Sequence, residues 1–357
     1  MVHEALMHRG AEVASSKHKT LEDDKRVLHL ALPKRRPRVA VLIPCYNEEK
    51  TIAKVVGDFR LLLPEAEIYV FDNNSADRSA DLAALAGAVV VRERRQGKGF
   101  VVRSMFRNVD ADVYLMVDAD DTYEAADIVA LAGPVLDGSA DMVIGDRLSS
   151  TYFEENQRAL HGAGNRLVRR LINTIFRANL TDIMTGGRAF SPIFVQTYPV
   201  MCGGFEIETE MTVHALDKGF MVAEMPVRYR DRQAGSVSKL KTIPDGTRVL
   251  KTVMALFKDF RPLLFSSIIS AVFLAVAIAL FISPLHEYLT TGFVRKVPSI
   301  IVSMACGMCS LLALFAGAIM DSIRKQSRML YELELHRWSQ EREARTHLES
   351  PGLRGRC

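Results

Sequence analysis

The sequence predicts an α/β fold, a mostly parallel sheet covered by helices on both faces, followed by a pair of membrane-spanning helices. Three observations predict it. Short apolar runs alternate with helix-length segments between about residues 38 and 241. Those runs are continuously apolar, not alternating, which marks strands buried on both faces. Two charge-free runs of 24 residues, 262–285 and 297–320, follow; each exceeds the roughly 20 residues a helix needs to cross a bilayer.

The strands are predicted at 38–43, 68–71, 88–91, 113–117 and 141–144, and the helices at 49–62, 77–86, 98–108 and 124–136. The 11 residues between the two long apolar runs suit a short loop, so the pair reads as a transmembrane hairpin. Lys258 and Arg261 precede it and Arg324, Lys325 and Arg328 follow it, against Arg295 and Lys296 in the loop. The basic excess on the outer flanks is expected to place the α/β block and both termini in the cytoplasm. Cys306 and Cys309, inside the second run, read as packing residues.

Composition removes several classes. The chain has 357 residues, 48% apolar and 25% charged, which excludes a disordered or collagen-like chain. Lys plus Arg is 46 and Asp plus Glu is 42, a net charge of +4. That balance argues against a polybasic nucleic-acid binder. Five scattered Cys exclude a disulfide scaffold.

In a parallel sheet, ligands bind at the carboxyl ends of the strands. After the first strand comes Pro44-Cys45-Tyr46-Asn47-Glu48, where the proline is expected to stop the strand. After the second comes Asp72-Asn73-Asn74-Ser75, which suits either an acceptor for a base or ribose or an ordinary capped turn. After the third comes Gly97-Lys98-Gly99, whose glycines would let backbone approach a phosphate beside an ammonium. It matches neither the dinucleotide fingerprint nor the P-loop. After the fourth comes Asp118-Ala119-Asp120-Asp121. Carboxylates at i and i+2 point the same way, and such a pair suits Mg²⁺ or Mn²⁺. Gly145-Asp146-Arg147 follows the fifth. Farther on stand Asp182-x-x-Thr185-Gly186, the string Phe205-Glu206-Ile207-Glu208, and Arg232-x-x-Gly235-x-x-Ser238-Lys239, a group suited to a phosphate clamp just before the membrane.

Taken in order, these motifs resemble glycosyltransferase family 2, and within it the polyprenyl-phosphate (dolichyl- and undecaprenyl-phosphate) glycosyltransferases. The resemblance covers about residues 38–320. It implies a GT-A fold, a nucleotide-sugar donor and a divalent metal, Mg²⁺ or Mn²⁺. Carried onto this chain, it puts Pro44, Tyr46, Glu48 and Asp72 around the base and ribose, with Lys98 also on the nucleotide. Asp118 and Asp120 would serve the metal and diphosphate. Arg147, Arg232, Ser238 and Lys239 would contact donor or acceptor phosphates. Two positions depart from the family's pattern: Asp121-Thr122-Tyr123 follows the acidic pair, and Gly187 follows Gly186.

The expected reaction is inverting transfer of a sugar, UDP-glucose or UDP-N-acetylglucosamine being favoured as donor over GDP-mannose, to the phosphate of a polyprenyl phosphate. That acceptor explains why no general base stands out, since a phosphate monoester is largely dianionic at neutral pH. The expected domains are a flexible lead (1–37), the catalytic block (38–241), an amphipathic juxtamembrane helix (242–261), two transmembrane helices (262–320) and a charged cytoplasmic tail helix (321–357). The juxtamembrane reading rests on Val249, Leu250, Val253, Met254 and Phe257, which share one helical face. The expected location is the inner (plasma) membrane, and the paired helices and tail could support a homo-oligomer. A processive synthase would need more spans, a nucleotidyltransferase would not need the hairpin, and a non-catalytic scaffold would show no nucleotide-sugar turnover.

Overall fold

Val, Leu and Ile fill β1 (Val39–Cys45), and its side chains alternate between two cores. Val41 and Ile43 pack with α1 (Ile52–Leu62), α2 (Ser79–Leu85), α4 (Ala125–Ala130) and α5 (Ala132–Leu136). Ala40 and Leu42 pack with α3 (Lys98–Asn108), α6 (Ala159–Phe176), α7 (Pro192–Thr197) and α8 (Ile207–Lys218). Apolar faces on both sides of one strand are what a covered parallel sheet demands. The computed structural model describes residues 36–149, 159–204, 206–230, 254–255 and 257–349.

The sheet has seven strands. With β2 (Glu67–Asp72), β3 (Val89–Arg92), β4 (Val113–Met116), β5 (Met142–Asp146), β6 (Arg188–Phe190) and β7 (Val222–Pro226), the order is β3-β2-β1-β4-β6-β5-β7. β6 alone runs antiparallel, to β4 and to β5. The chain builds outward from β1 to β3 and then crosses to β4 on β1's other side. The β1/β4 boundary is therefore the switch point, where a crevice opens at the carboxyl ends.

The five predicted strands are present, with three differences. Pro44 does not stop β1, which runs on to Cys45. Its pairing with β4 ends at Leu42, so beyond that point β1 has a free edge on which a residue without an N–H is tolerated. The predicted helix at 124–136 divides at Leu131. Pro134 has no N–H to offer Ala130, and its ring crowds that carbonyl. β6 and β7 were not predicted.

Two long apolar helices follow, α9 (Pro262–Thr291) and α10 (Val297–Glu349). Both are long and apolar enough to cross a membrane. Their packing is inside out. Ile268, Val272, Leu274 and Leu312 face outward, while Ser266, Ser270, Ser303 and Ser310 are buried between the helices. Ser310 Oγ donates to Ser270 O (2.8 Å), Ser303 Oγ to Ala277 O (2.8 Å) and Ser299 Oγ to Leu280 O (3.0 Å). A Cβ on Gly317 would come within 2.4 Å of Ser266 Cβ, so the backbones meet where a side chain is missing. Small residues inside and bulky apolar ones outside suit helices whose solvent is lipid.

The chain divides into two units, Pro37–His336 and a second made of Met1–Arg36 with Arg337–Cys357. In the second, Arg337 pairs with Glu341 at 3.1 Å and Arg342 lies 5.3 Å over the Trp338 ring.

His214, on α8, sits among the rings of Phe194, Tyr198, Phe220 and Tyr331. Burial, and then Lys218, pull its pKa down to about 4, with Asp217 opposing. Burial raises the Tyr198 and Tyr331 hydroxyls, so neither titrates in the acid range. An unfolded histidine titrates near about 6.5. Between those values the unfolded chain binds more protons, so stability is complete above about pH 6.5 and falls as pH drops toward 4. Thermal unfolding of solubilised protein at pH 7 and 4.5 should show a smaller acid-induced fall in His214→Gln than in the parent; equal falls would remove His214 from the account.

Candidate active site

The crevice is built by loops that bind one another before they bind anything else. Asn47, at φ 52°, turns the β1 loop. Its Oδ1 accepts from Ala76 N (2.8 Å) and its N–H donates to Ser75 Oγ (2.9 Å). Glu48 N donates to Ser79 Oγ (2.7 Å). These bonds hold the Pro44, Tyr46 and Glu48 segment beside Asp72, whose carboxylate is buried at the end of β2 and accepts from Ser75 N (3.2 Å). Across the switch point, Thr51 Oγ1 donates to Ala119 O (2.7 Å), joining the start of α1 to the acidic segment after β4.

Asn73 controls the third loop. Its Nδ2 donates to Glu93 O (3.1 Å) and Arg95 O (2.7 Å), and its Oδ1 accepts from Gly97 N (2.7 Å). The two glycines of Gly97-Lys98-Gly99 have a structural reason. A Cβ on Gly97 would lie 2.1 Å from Gly203 O, and one on Gly99 would lie 2.2 Å from Cys202 O. What approaches these glycines is the protein's own backbone. That backbone is fixed by Glu210, which accepts from Met201 N (2.9 Å) and Cys202 N (2.8 Å).

The ammonium of Lys98 lies 2.6 Å from Asp118 Oδ1 and 2.6 Å from Glu208 Oε1. Burial works against that charge, but the Asp118 and Glu208 carboxylates outweigh it and hold the amine well above the ordinary lysine range. Asp120 is buried and accepts from Thr122 Oγ1 (2.6 Å). Asp121, in the left-handed region at φ 58°, turns away to Lys54 (2.7 Å). Asp118 fills the space over Gly186, where a Cβ would meet Oδ2 at 2.3 Å.

Gly186 belongs to a loop that also serves Arg147. Arg147 Nε donates to Asp182 Oδ2 (2.7 Å), and Nη2 donates to Asp182 Oδ1 (3.1 Å) and Met184 O (3.0 Å). The guanidinium lies 5.2 Å over the Tyr229 ring. Tyr123 Oη accepts from Gly186 N (3.0 Å) and stands 3.1 Å from Thr185 Oγ1. Beneath the loop, Arg188 is completely buried. It donates to Thr185 O (3.0 Å), Ile183 O (2.9 Å), Glu208 O (3.0 Å) and Thr212 Oγ1 (3.0 Å). Burial lowers its pKa, with Glu208 and Asp182 opposing.

The structure thus brings Lys98 directly onto Asp118, joins the Pro44–Glu48 loop to the Asp72 loop, and ties Arg147 to the loop under Asp118. Arg232, Ser238 and Lys239 lie outside the described residues, as do Phe205, residues 1–35 and 242–253, and the last eight residues. Sequence reading assigned no role to Glu208, Arg188, Asn73 or Asp182. Glu208, Asp182 and Asn73 stand in the motifs after the strands; Arg188 opens a three-residue strand that carries no periodic signal.

A mostly parallel sheet with two carboxylates and a half-buried ammonium at its switch point has the frame of an α/β enzyme whose ligand sits at the carboxyl ends of the strands. Residues 40–193 match glycosyl transferase family 2. The chain is 33% identical over 303 residues to "Glycosyltransferase AglJ" of Haloferax volcanii, covering 83% of this chain and 98% of the relative. It is 30% identical over 217 residues to the "Dolichyl-phosphate hexose transferase" of the same organism, covering 60% of this chain and 92% of the relative. A crystal structure of glucosyl-3-phosphoglycerate synthase from Mycobacterium tuberculosis shares the fold, with a TM-score of 0.50 and 20% identity over 62% of this chain and 79% of that one. The protein is a glycosyltransferase. It belongs to glycosyltransferase family 2.

Gly186→Ala should push the Asp118 carboxylate aside without disturbing the sheet. The expected result is a fall in turnover of roughly 100-fold, at an unchanged thermal midpoint, measured by steady-state kinetics and thermal scans on the same preparation.

Proposed function

We propose that the chain is a membrane-bound, inverting glycosyltransferase that moves a sugar from UDP-glucose or UDP-N-acetylglucosamine to the phosphate of a polyprenyl phosphate. The observation that carries this reading is the joining, in one chain, of a carboxylate pair at a sheet switch point to two apolar helices that bury serines and expose leucines. The 30% identity to a relative named for dolichyl phosphate and hexose supports the acceptor class. The proposed spans are 262–320, with the catalytic block at 38–241 and both ends of the chain in the cytoplasm at the inner (plasma) membrane.

The donor set fits a divalent cation. Asp118 already holds a cation, the Lys98 ammonium, at 2.6 Å, and Asp120 lies two residues on, so both carboxylates would hold Mg²⁺ or Mn²⁺. Among the described residues there is no group of three or more His, Cys, Asp or Glu side chains arranged as metal ligands; hard cations of this kind accept the remaining oxygens from phosphate and water. When bound, the ion would neutralise the departing nucleoside diphosphate. Pro44, Tyr46, Glu48 and Asp72 would frame the base and ribose. Lys98 would supply positive charge beside the diphosphate. Arg147, held rigid by Asp182, would act with Arg232, Ser238 and Lys239 on donor or acceptor phosphates, keeping two anions in reach of each other. The acceptor oxygen, already ionised, attacks the anomeric carbon from the face opposite the leaving group, which inverts the centre.

Purified full-length protein with undecaprenyl phosphate, Mg²⁺ or Mn²⁺ and a panel of UDP- and GDP-sugars should yield a lipid-linked sugar by mass spectrometry. Asp120→Ala should lose at least about 1,000-fold in turnover while remaining folded and membrane-bound. Full activity in that variant would sink the metal assignment; nucleotide-sugar cleavage without a lipid product would sink the acceptor; a product from GDP-mannose alone would replace the donor.

A further inference from the structure

The second apolar helix does not end where its apolar run ends. α10 continues through Arg324, Arg328 and Tyr331, spaced i, i+4 and i+7 on one face. That face docks on the far end of α8. Arg324 Nη2 donates to Asp217 Oδ1 (2.6 Å), with the Asp217 side chain only 9% exposed. The same guanidinium donates to Phe260 O and lies 5.7 Å over the Phe260 ring. Tyr331 Oη donates to Thr197 Oγ1 (2.9 Å) and lies 3.1 Å from His214 Nε2. The Lys218 ammonium sits 5.0 Å from its ring centre.

The choice of side chains is informative. Ile323, Leu330 and Leu333 belong to the same stretch of helix and stay 58–63% exposed. A helix held only by adhesion would bury them. This one turns in half-buried hydrogen-bonding groups, whose energy depends on direction as well as distance. The contact therefore sets an orientation. What it orients is α8, a single helix of 12 residues. Its opposite end carries Glu208, which holds the Lys98 ammonium against Asp118. Glu208 and Asp217 are nine residue steps apart along the helix, about 14 Å at 1.5 Å per residue. A packed helix moves as a body, so a tilt at one end displaces the other.

We propose that residues 324–331 are a positioning brace for the active site: docked on α8 through Arg324 and Tyr331, they fix the Glu208 end of that helix and with it the Lys98–Asp118 pair. The inference rests on the reading of Asp118 and Lys98 as donor-binding groups. Arg324 and Tyr331 are positioning residues and touch no substrate. The brace also makes the site's geometry depend on the second apolar helix, so the catalytic block is not an independent module tethered to a passive anchor.

The test uses the full-length protein in nanodiscs, with Arg324→Gln and Tyr331→Phe as probes and Arg324→Lys as the conservative control. Hydrogen exchange is followed at 207–218 and at 97–104, together with kcat and the KM for nucleotide sugar. The brace predicts faster exchange in both segments in both probes. It also predicts a fall in kcat of roughly tenfold with KM within about twofold, and recovery of most of the loss in Arg324→Lys. Faster exchange confined to 207–218 with kcat unchanged would reduce the contact to adhesion and overturn the proposal. Unchanged exchange in both segments would overturn it as well. The exchange at 97–104 needs no acceptor, so a parent protein that failed to glycosylate a polyprenyl phosphate would remove the proposed function and leave this test standing.

Discussion

A fully buried guanidinium is the constraint from which the rest of the site follows. Arg188 lies in the short strand between β4 and β5, with no contact to water. A charge in that position is tolerated only when its donors are met. They are met by Ile183 O, Thr185 O, Glu208 O and Thr212 Oγ1. Each of these bonds fixes a piece of backbone that carries something else. The loop at 183–185 presents Asp182 to Arg147 and lays Gly186 under Asp118. The first turn of α8 presents Glu208 to Lys98. One buried cation therefore sets the positions of two further cations and of the carboxylate beside them. An apolar residue of the same volume could fill the space, but it could not hold two separate segments in register.

Among the described residues, the site also gathers more carboxylates than cations. Asp118, Asp120, Asp182 and Glu208 converge on it, and Lys98 and Arg147 each spend their charge on these partners. Lys98 is shared between two carboxylates, so neither has a full counter-charge from it. Asp120 takes a hydroxyl from Thr122. A cluster arranged in this way favours the arrival of a cation together with an anionic ligand. That is the electrostatic sense of the proposed nucleotide sugar and divalent ion.

Local chemistry made part of this legible in sequence. The five continuous apolar strands were legible because both faces of a parallel sheet are buried, and α3 matches its predicted bounds of 98–108 because Gly97 and Val109 frame it. The carboxylates after β4 were legible because a strand ends there. β6 was not, since three residues beginning with an arginine carry no periodic signal, and the antiparallel insertion that it makes is decided by tertiary pairing. The glycines at 97 and 99 invited a phosphate, yet their missing side chains admit the backbone of 202–203. No spacing rule joins positions a hundred residues apart. For the same reason nothing local singles out Glu208: its partner, Lys98, is 110 positions away in sequence and 2.6 Å away in space.

The two parts of the chain obey opposite partition rules, and their junction is built from contacts that work under both. In the sheet domain apolar groups are inside; between α9 and α10 serines are inside and leucines outside. A purely apolar contact would be weak where lipid competes for it, and an exposed ion pair is weak where water competes. At the junction, Phe260 meets both the Phe176 ring at 5.3 Å and the Arg324 guanidinium at 5.7 Å. Arg261 reaches back to Ile175 O at the end of α6. A cation over an aromatic face gains from partial desolvation and needs no fully dry pocket, and a backbone carbonyl accepts a hydrogen bond in either medium. Under the proposed membrane reading, this is chemistry suited to headgroup depth, the level at which a polyprenyl phosphate carries its charge. The height of the crevice above the lipid is then set by a few directional contacts at Phe260, Arg261 and Arg324, and less by the hydrophobic length of the helices.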